Sequence, residues 1–228
     1  MQKPVSHKVL NQCFWLTTER TMFWEDEKSL VVSDLHFGKT GHFRKSGIAV
    51  PATVYKEDLQ RLITQIQYFQ PSELIIVGDM FHSRANRELD LFLKWRSDLP
   101  DIAFRLIRGN HDVLEEEWYK NAGILLSPQT LSRHQFHFVH DITDHLEGKS
   151  GYAVTRSNLR SYFFSGHIHP GIRIQGAGKQ SLCFPCFYFG KKYAVLPAFS
   201  RFTGTAIIYP EAEEQVFAIV NQDLIRLQ

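Results

Sequence analysis

The chain has 228 residues, of which 43% are hydrophobic, and its formal net charge is +2. This length and composition allow one substantial core, and no linker, repeat or low-complexity segment interrupts the sequence, so we expect one domain over residues 1–228. A charge this small does not by itself indicate a nucleic-acid-binding protein. No segment approaches the ~18 consecutive apolar residues of a membrane span, and residues 1–10 lack the apolar core of a signal peptide.

The cysteine content bears on the cellular compartment. Three cysteines do not make a disulfide framework in a chain of this size. Cys183 and Cys186 are flanked by aromatic residues typical of a buried strand, and no second Cys-x-x-Cys pair accompanies them. We therefore interpret them as structural thiols and expect a cytoplasmic protein with no membrane partner.

Short apolar runs alternate with helical patterns in the first half of the chain. Residues 30–33 are typical of a buried strand, and residues 21–28 are predicted to form a hairpin leading into it. Apolar side chains recur at helical spacing over residues 53–70, and Pro71 ends that predicted helix. We then predict a strand at 74–77, a helix around 89–95, a strand at 102–107 and a short helix around 114–120.

Helical periodicity largely disappears in the second half. Strand-like runs occupy residues 136–139, 162–164, 172–175, 182–188, 194–196, 206–209 and 216–220. A β-α-β-α-β half followed by a β-rich half predicts an α/β fold in which two packed sheets are flanked by helices.

Five short motifs follow or end these strand-like runs. In chain order they are Asp34-Leu35-His36, Gly78-Asp79, Gly109-Asn110-His111-Asp112, His140-Asp141 and Gly166-His167-Ile168-His169. Each taken singly has an ordinary explanation as a turn, a helix cap or a core histidine. Together they supply two carboxylates, one amide and four imidazoles, which is the ligand set of a two-metal site.

Two neighbouring divalent cations need a shared carboxylate to offset their repulsion, and Asp79, at the end of an apolar strand, is our candidate for that bridge. Mixed imidazole and carboxylate ligands suit Mn²⁺, Fe or Zn²⁺ better than Ca²⁺, and of these we expect Mn²⁺, with Fe or Zn²⁺ as alternatives. The two carboxylates leave the pair of cations with net positive charge, which suits a phosphate ester as substrate.

The five motifs, from Asp34 to Pro170, resemble those of the calcineurin-like metallophosphoesterases. The resemblance implies an αββα sandwich and a hydrolytic, metal-dependent activity. It also implies a division of the ligands between the metals: Asp34, His36 and His169 complete metal 1, Asn110, His140 and His167 complete metal 2, and Asp79 serves both.

The resemblance further implies that His111 contacts the phosphate and protonates the leaving oxygen. We expect the neighbouring Asp112 to accept the His111 ring N–H and to select its tautomer. A purely orienting role of His111 in its loop is the alternative.

Other segments resemble a narrower group. They are residues 34–39, 43–48 and 50–51, the Gly-Asp-x-Phe-His-Ser sequence at 78–83, and the tail at 196–204. This group is the bacterial ligase-associated DNA-damage-response metallophosphoesterases, endonucleases found beside a DNA ligase and a helicase. Ser200 and Thr205 stand where that group leads us to expect glycine. The acidic residue and Arg-Gly that follow Gly-Asp in the serine/threonine phosphatases are absent here.

DNA is accordingly the expected substrate and partner, in DNA repair with a ligase and a helicase. The cationic candidates for contacts with DNA phosphates are Lys39, Arg44, His82 and Arg84. An ordinary solvated surface is the alternative explanation of Lys39 and Arg84.

Two other functions stay open. The same metals would also serve a phosphodiesterase or phosphatase of a small nucleotide or cyclic diester. A non-catalytic scaffold of the same fold is the third hypothesis, and the presence of all seven ligands and His111 argues against it.

Overall fold

The computed structural model describes residues 2–39, 53–82, 87–143, 161–176 and 180–227. Within these ranges the helices are α1 (Thr53–Phe69), α2 (Arg87–Ser97) and α3 (Glu116–Asn121). The strands are β1 (Val5–Val9), β2 (Gln12–Leu16), β3 (Met22–Trp24), β4 (Ser29–Val32), β5 (Glu73–Val77), β6 (Ala103–Ile107), β7 (Ile124–Ser127), β8 (Thr130–Arg133), β9 (Phe136–Val139), β10 (Tyr162–Ser165), β11 (Pro170–Gln175), β12 (Ser181–Phe189), β13 (Tyr193–Val195), β14 (Ala206–Ile207), β15 (Gln215–Val220) and β16 (Asp223–Arg226).

The first sheet contains the strands β1 to β7 in chain order. The first four strands pair antiparallel, and β4, β5, β6 and β7 pair parallel. A helix lies between each successive pair of parallel strands in the chain. Both faces of the parallel strands are therefore covered, which is why β4 and β5 are nearly continuous apolar runs.

The second sheet has the strand order β14-β11-β12-β13-β10-β9-β8, with the hairpin of β15 and β16 attached to β12. Its centre is parallel, because β10 pairs in the same direction with both β9 and β13. Parallel strands of both sheets thus have their carboxyl ends available for a site.

Two large apolar clusters hold these layers together. One lies between the first sheet and the helices and includes Leu62, Phe92 and Tyr119. The other lies between the two sheets, where the ring centroid of Phe14 is 5.4 Å from that of Phe136 and 5.0 Å from that of Phe164. The predicted α/β fold with two packed sheets is confirmed.

The predicted elements are confirmed with shifts of a few residues at their ends, as expected for element boundaries. The sequence patterns did not predict β1, β2, β7, β8 and β16. In β1 the polar residues Ser6 and Lys8 alternate with half-buried ones, so that strand has no apolar run. The strand predicted at 206–209 is shorter and covers only Ala206–Ile207. Of the described helices, none has the length and apolar character needed to cross a bilayer.

Phe14 is fully buried between the two sheets and also stacks on Trp24. We predict that Phe14→Ala lowers the free energy of unfolding by about 3–5 kcal/mol, because it removes a large apolar side chain and leaves a cavity. Urea denaturation followed by circular dichroism measures this change. Tyr209→Ala is the control, since the Tyr209 side chain is 85% exposed. A loss below about 1 kcal/mol for Phe14→Ala, within the range of ordinary surface substitutions, would contradict this packing.

Candidate metal centre

Every motif begins where a parallel strand ends. Asp34 follows β4, Asp79 follows β5, Asn110 follows β6, His140 follows β9 and His167 follows β10. Hydrogen bonds join these strand ends within each sheet: the Asp34 N–H donates to the Gly78 carbonyl (3.1 Å), and the Gly166 N–H donates to the His140 carbonyl (3.0 Å). The His167 N–H donates to Asp34 Oδ2 (3.1 Å) and so links the two sheets. The site lies where the carboxyl ends of both sheets meet.

One group of candidate ligands consists of Asp34, His36 and His169, whose ligand atoms all lie within 4.8 Å of one another. The closest pair is His169 Nε2 and Asp34 Oδ1, at 3.2 Å. We call this group the first cluster.

The second cluster consists of Asp79, His140 and His167, again with ligand atoms within 4.8 Å of one another. His140 Nε2 lies 3.4 Å from Asp79 Oδ1 and 3.2 Å from His167 Nδ1. The amide oxygen of Asn110 lies 3.0 Å from the same His140 nitrogen and so extends the cluster. This grouping matches the division of ligands that the family resemblance implies.

The Asp79 carboxylate faces both clusters. Its Oδ1 atom points toward His140, as given above, and its Oδ2 atom lies 3.9 Å from Nε2 of His36 in the first cluster. Asp79 is almost fully buried, so few water molecules compete for these oxygens. The arrangement is the one that a carboxylate shared by two cations requires.

Several atoms of the first cluster have no hydrogen-bond partner among the described residues. Asp34 Oδ1 and both ring nitrogens of His36 are buried in this way. A buried polar atom without a partner costs free energy, so native proteins rarely leave one unless it binds something else. The donor set of imidazole, carboxylate and amide groups therefore fits divalent metal ions.

The surroundings shift the pKa of His36 in the first cluster and of His140 in the second in opposite directions. Burial, with a smaller contribution from Lys39, lowers the pKa of His36 to about 3, so its ring is neutral and able to bind a cation. Burial also disfavours protonation of His140, but its hydrogen bond to Asp79 and the charges of Asp34 and Asp79 raise its pKa to about 9. Burial opposes ionisation of Asp79, yet His140 and the His111 N–H hold the pKa of Asp79 well below its usual range. A metal bound at His140 must therefore displace a proton.

Hydrogen bonds to backbone carbonyls outside the clusters orient two of the imidazoles. His140 Nδ1 donates to the Val77 carbonyl (3.1 Å), and His169 Nδ1 donates to the Gly204 carbonyl (3.2 Å). A carbonyl only accepts, so in both residues the contact leaves Nε2 for the cluster. His167 is turned the other way, with Nε2 3.7 Å from Asp141 Oδ2. The His140-Asp141 motif is recognisable in the sequence, but no role was predicted for Asp141.

Five of the seven candidate ligands have a left-handed backbone conformation. Asp34, His36, Asp79, His167 and His169 all have positive φ angles, of 55°, 48°, 52°, 63° and 53°. Asp and His adopt this left-handed region more readily than most residues, but each instance still costs of order 1–3 kcal/mol. Strain of this kind is typical of functional sites, because the surrounding fold must hold it in place.

Two of the motif glycines are explained by close approach. A Cβ at Gly166 would lie 1.8 Å from Ser33 Oγ and 2.6 Å from Asp34 Oδ2. A Cβ at Gly109 would lie 2.3 Å from Asp79 Oδ1. These positions admit no side chain while the two carboxylates keep their places. Ser33 was not predicted from the sequence to be part of the site; its hydroxyl lies within hydrogen-bonding distance of both Asp34 Oδ2 and the Val77 carbonyl and has one proton to donate between them.

His111 lies at the open side of the site. Its backbone N–H donates to Asp79 Oδ1 (2.8 Å), and its half-exposed ring has Nε2 4.0 Å from Asp79 Oδ2. The ring of His82 is next to it, with ring centroids 4.3 Å apart. His111 is thus accessible to a substrate that binds beside Asp79.

The expected contact between Asp112 and the His111 ring is wrong. Asp112 instead accepts hydrogen bonds from the backbone N–H groups of Met80 and Phe81 (3.0 Å each) and Gly109 (2.9 Å). Its side chain turns inward, and burial raises its pKa to about 7. Asp112 therefore connects the loops that carry Asp79 and Asn110 and does not touch the imidazole.

Of the predicted phosphate-binding residues, Lys39 and His82 are described and Arg44 and Arg84 lie outside the described residues. Lys39 follows the first motif and is half-buried. Burial lowers the pKa of Lys39, while Asp79 and Asp34 counteract this through their charges. His82 has its ring centroid 5.6 Å from that of His36. Both residues are thus close to the clusters.

Solved structures that are similar to this chain include a nuclease and a phosphoesterase. The chain superposes on the crystal structure of the nuclease MPE of Pseudomonas putida with a TM-score of 0.77 and 25% sequence identity, covering 95% of this chain and 96% of that one. A weaker match, with a TM-score of 0.41 and 14% identity, is Yfce, a phosphoesterase from E. coli, which covers 87% of this chain and 97% of that one. No curated protein sequence matches significantly.

The sequence also matches the model of the calcineurin-like phosphoesterases over residues 28–169. That range includes all five motifs and both clusters. Because the match covers more than half of the chain and contains the whole candidate centre, the chain belongs to the calcineurin-like phosphoesterase family.

Proposed function

We propose that this chain is a two-metal phosphodiesterase that cleaves DNA. The observation that carries the proposal is the Asp79 carboxylate, with one oxygen toward the first cluster and the other toward the second. A phosphoesterase that acts through two divalent ions needs such a bridge.

The residues that would hold the metals are those of the two clusters. Metal 1 would bind Asp34, His36, His169 and Asp79, and metal 2 would bind Asp79, Asn110, His140 and His167. When bound, two such ions polarise a phosphoryl group and lower the pKa of a bound water. Imidazole, carboxylate and amide donors without thiolates are compatible with Mn²⁺, Fe and Zn²⁺, and we propose Mn²⁺ as the metal.

His111 is the proposed general acid. It belongs to the same loop as Asn110, its backbone is anchored on Asp79, and its ring reaches the open side of the site. A ring in that position is able to donate a proton to the leaving oxygen of an ester held beside Asp79. Asp112 acts on this step indirectly, because it fixes the backbone of the loop.

Three observations support DNA as the substrate. The match to the P. putida nuclease covers nearly the whole of both chains. Lys39 brings a cation to the edge of the site, where a flanking phosphate of a polynucleotide would lie. The segments at 34–39, 43–48, 50–51, 78–83 and 196–204 resemble the ligase-associated group, and on that basis we propose a role in DNA repair beside a ligase and a helicase. The free thiols of Cys13, Cys183 and Cys186 suit the reducing cytoplasm.

We predict that Asp79→Asn reduces hydrolysis of bis-p-nitrophenyl phosphate to background and lowers the Mn²⁺ content per chain, because the bridge between the cations loses its charge. Metal content after dialysis against Mn²⁺ and the rate of p-nitrophenolate release measure the two effects. Asp101→Asn makes the same chemical change at an exposed position and should alter neither. Full activity of the wild-type protein after treatment with a chelator would refute the two-metal proposal.

We predict that His111→Ala retains both metals but loses about 10²–10⁴ in turnover on a substrate with a poor leaving group. The loss should be much smaller with p-nitrophenolate, which leaves without protonation. The measurement is kcat for an alkyl and a p-nitrophenyl phosphodiester, with metal content determined in parallel. An equal loss on both substrates would assign His111 to phosphate positioning.

We predict that Lys39→Ala weakens DNA binding and flattens its salt dependence by roughly 0.7–0.9 in the log–log slope, because one phosphate contact is lost. Fluorescence anisotropy with a labelled single strand at several salt concentrations measures the slope. Lys8→Ala, at an exposed position of the edge strand β1, is the control and should keep the wild-type slope. If the wild-type protein shows no salt-dependent binding to DNA but cleaves a nucleotide or cyclic diester efficiently, that small-substrate function replaces this proposal.

A further inference from the structure

The tail segment at residues 196–205 contains no candidate metal ligand, yet its backbone lies against the first cluster. The Phe199 N–H donates to the Ser33 carbonyl (2.8 Å), and the Ser200 N–H donates to the Asp34 carbonyl (3.2 Å). Farther along, Gly204 accepts the hydrogen bond from the His169 ring, and the N–H of Ala206 donates to the His169 carbonyl (2.9 Å). The segment therefore touches Asp34 and His169, two of the three residues of the first cluster.

Two arginines donate hydrogen bonds to the backbone carbonyls of this segment. Arg20, in the turn between β2 and β3, donates to the carbonyls of Ala198 (3.0 Å) and Ser200 (2.8 Å). Arg61, on α1, donates to the intervening carbonyl of Phe199 (3.1 Å), and its guanidinium lies 4.3 Å from the centre of the Phe199 ring. Three consecutive carbonyls are thus bound by two side chains from distant parts of the sequence.

Carboxylates fix the guanidinium of Arg61 in turn. Arg61 forms ion pairs with Glu19 and Asp58, each with an N···O distance of 2.7 Å, and also donates to the Glu19 carbonyl (2.8 Å). The Arg61 side chain is only 10% exposed, and that of Asp58 only 4%. Burial lowers the pKa of Arg20 to about 10, and the charge of Arg61 contributes to that decrease.

Stability alone does not account for this buried network. Removing charges from water is costly, and well-packed apolar residues often replace a buried ion pair without loss of stability. What the network fixes is geometry, because its donors converge on the backbone of residues 198–200. That backbone in turn supports Asp34, whose positive φ of 55° needs support from its surroundings.

We propose that Arg20 and Arg61 are positioning residues for metal 1. Their hydrogen bonds hold the backbone of residues 198–200 against Ser33 and Asp34. The same segment continues to Gly204, whose carbonyl orients the His169 ring. This inference rests on the proposed two-metal centre and adds to it a selective support for one of its metals.

The second cluster has further supports of its own. His140 is anchored on the Val77 carbonyl and, through its own carbonyl, on Gly166. His167 is near Asp141. The tail segment also donates from the Leu196 N–H to the Ser165 carbonyl (2.8 Å), but that contact lies outside residues 198–200, which the arginines bind, so loss of an arginine should affect metal 1 more than metal 2.

The test is a Mn²⁺ titration of the 228-residue chain, with free Mn²⁺ followed by electron paramagnetic resonance. The variants are Arg61→Ala, Arg61→Lys and Arg20→Ala. Arg96→Ala is the matched control, because Arg96 also donates to backbone carbonyls, those of Leu99 and Ile102, and also lies over a phenylalanine ring, 4.4 Å from the centre of Phe104. Thermal unfolding of each protein reports general destabilisation.

We expect the wild-type protein and Arg96→Ala to bind two Mn²⁺ ions per chain. In Arg61→Ala and Arg20→Ala one ion should bind about 10–100-fold more weakly, the usual effect of losing a group that orients a ligand. The other ion should keep its wild-type affinity. Arg61→Lys should lie between the two, because an ammonium keeps the charge but lacks the planar fork of the guanidinium. If Arg61→Ala does not fold, Arg61→Lys and Arg20→Ala provide the test.

Two results would overturn the inference alone: wild-type affinity for both ions in the arginine variants, or an equal weakening of both ions that Arg96→Ala reproduces. A wild-type protein that binds fewer than two ions would instead overturn the proposed two-metal function on which the inference rests.

Discussion

The rest of the site depends on one carboxylate held between two groups of histidines. Asp79 reaches this place because β5 ends between two parallel neighbours, β4 and β6, and the backbone then turns into the left-handed region. Its Oδ1 atom accepts the His111 N–H, and only a glycine at position 109 leaves room for it. The His111 N–H and the glycine at position 109 thus both help to keep the buried charge of Asp79 between the two clusters.

The site residues with positive φ show how the fold supports this arrangement. Their strain is distributed over short loops, each tied to a neighbouring loop by hydrogen bonds, as Asp112 ties Met80, Phe81 and Gly109 together. The tail segment and its arginines do the same for Asp34. Rigid loops keep the unfavourable conformations in place, and the charged network is useful for its geometry even where it adds little stability.

Much of the fold and of the candidate site was predictable from the sequence. Apolar runs followed by Asp, Asn or His predicted both the parallel strands and the candidate ligands, since the carboxyl ends of parallel strands meet at one edge. The left-handed backbone was not predictable, because local patterns do not report φ at Asp or His. The backbone N–H groups that donate to Asp112 and the support from Arg20 and Arg61 were also missed. Arg20 and Ser200 are 180 positions apart, and no periodicity links residues so distant in the chain.

The most direct test of the central claim is anomalous diffraction from crystals soaked in Mn²⁺. The structure predicts two peaks about 3.5–4 Å apart, one beside Asp34, His36 and His169 and one beside Asn110, His140 and His167, with one oxygen of Asp79 bound to each or shared between them. A single peak, no peak, or two peaks that the Asp79 carboxylate does not contact would contradict the account.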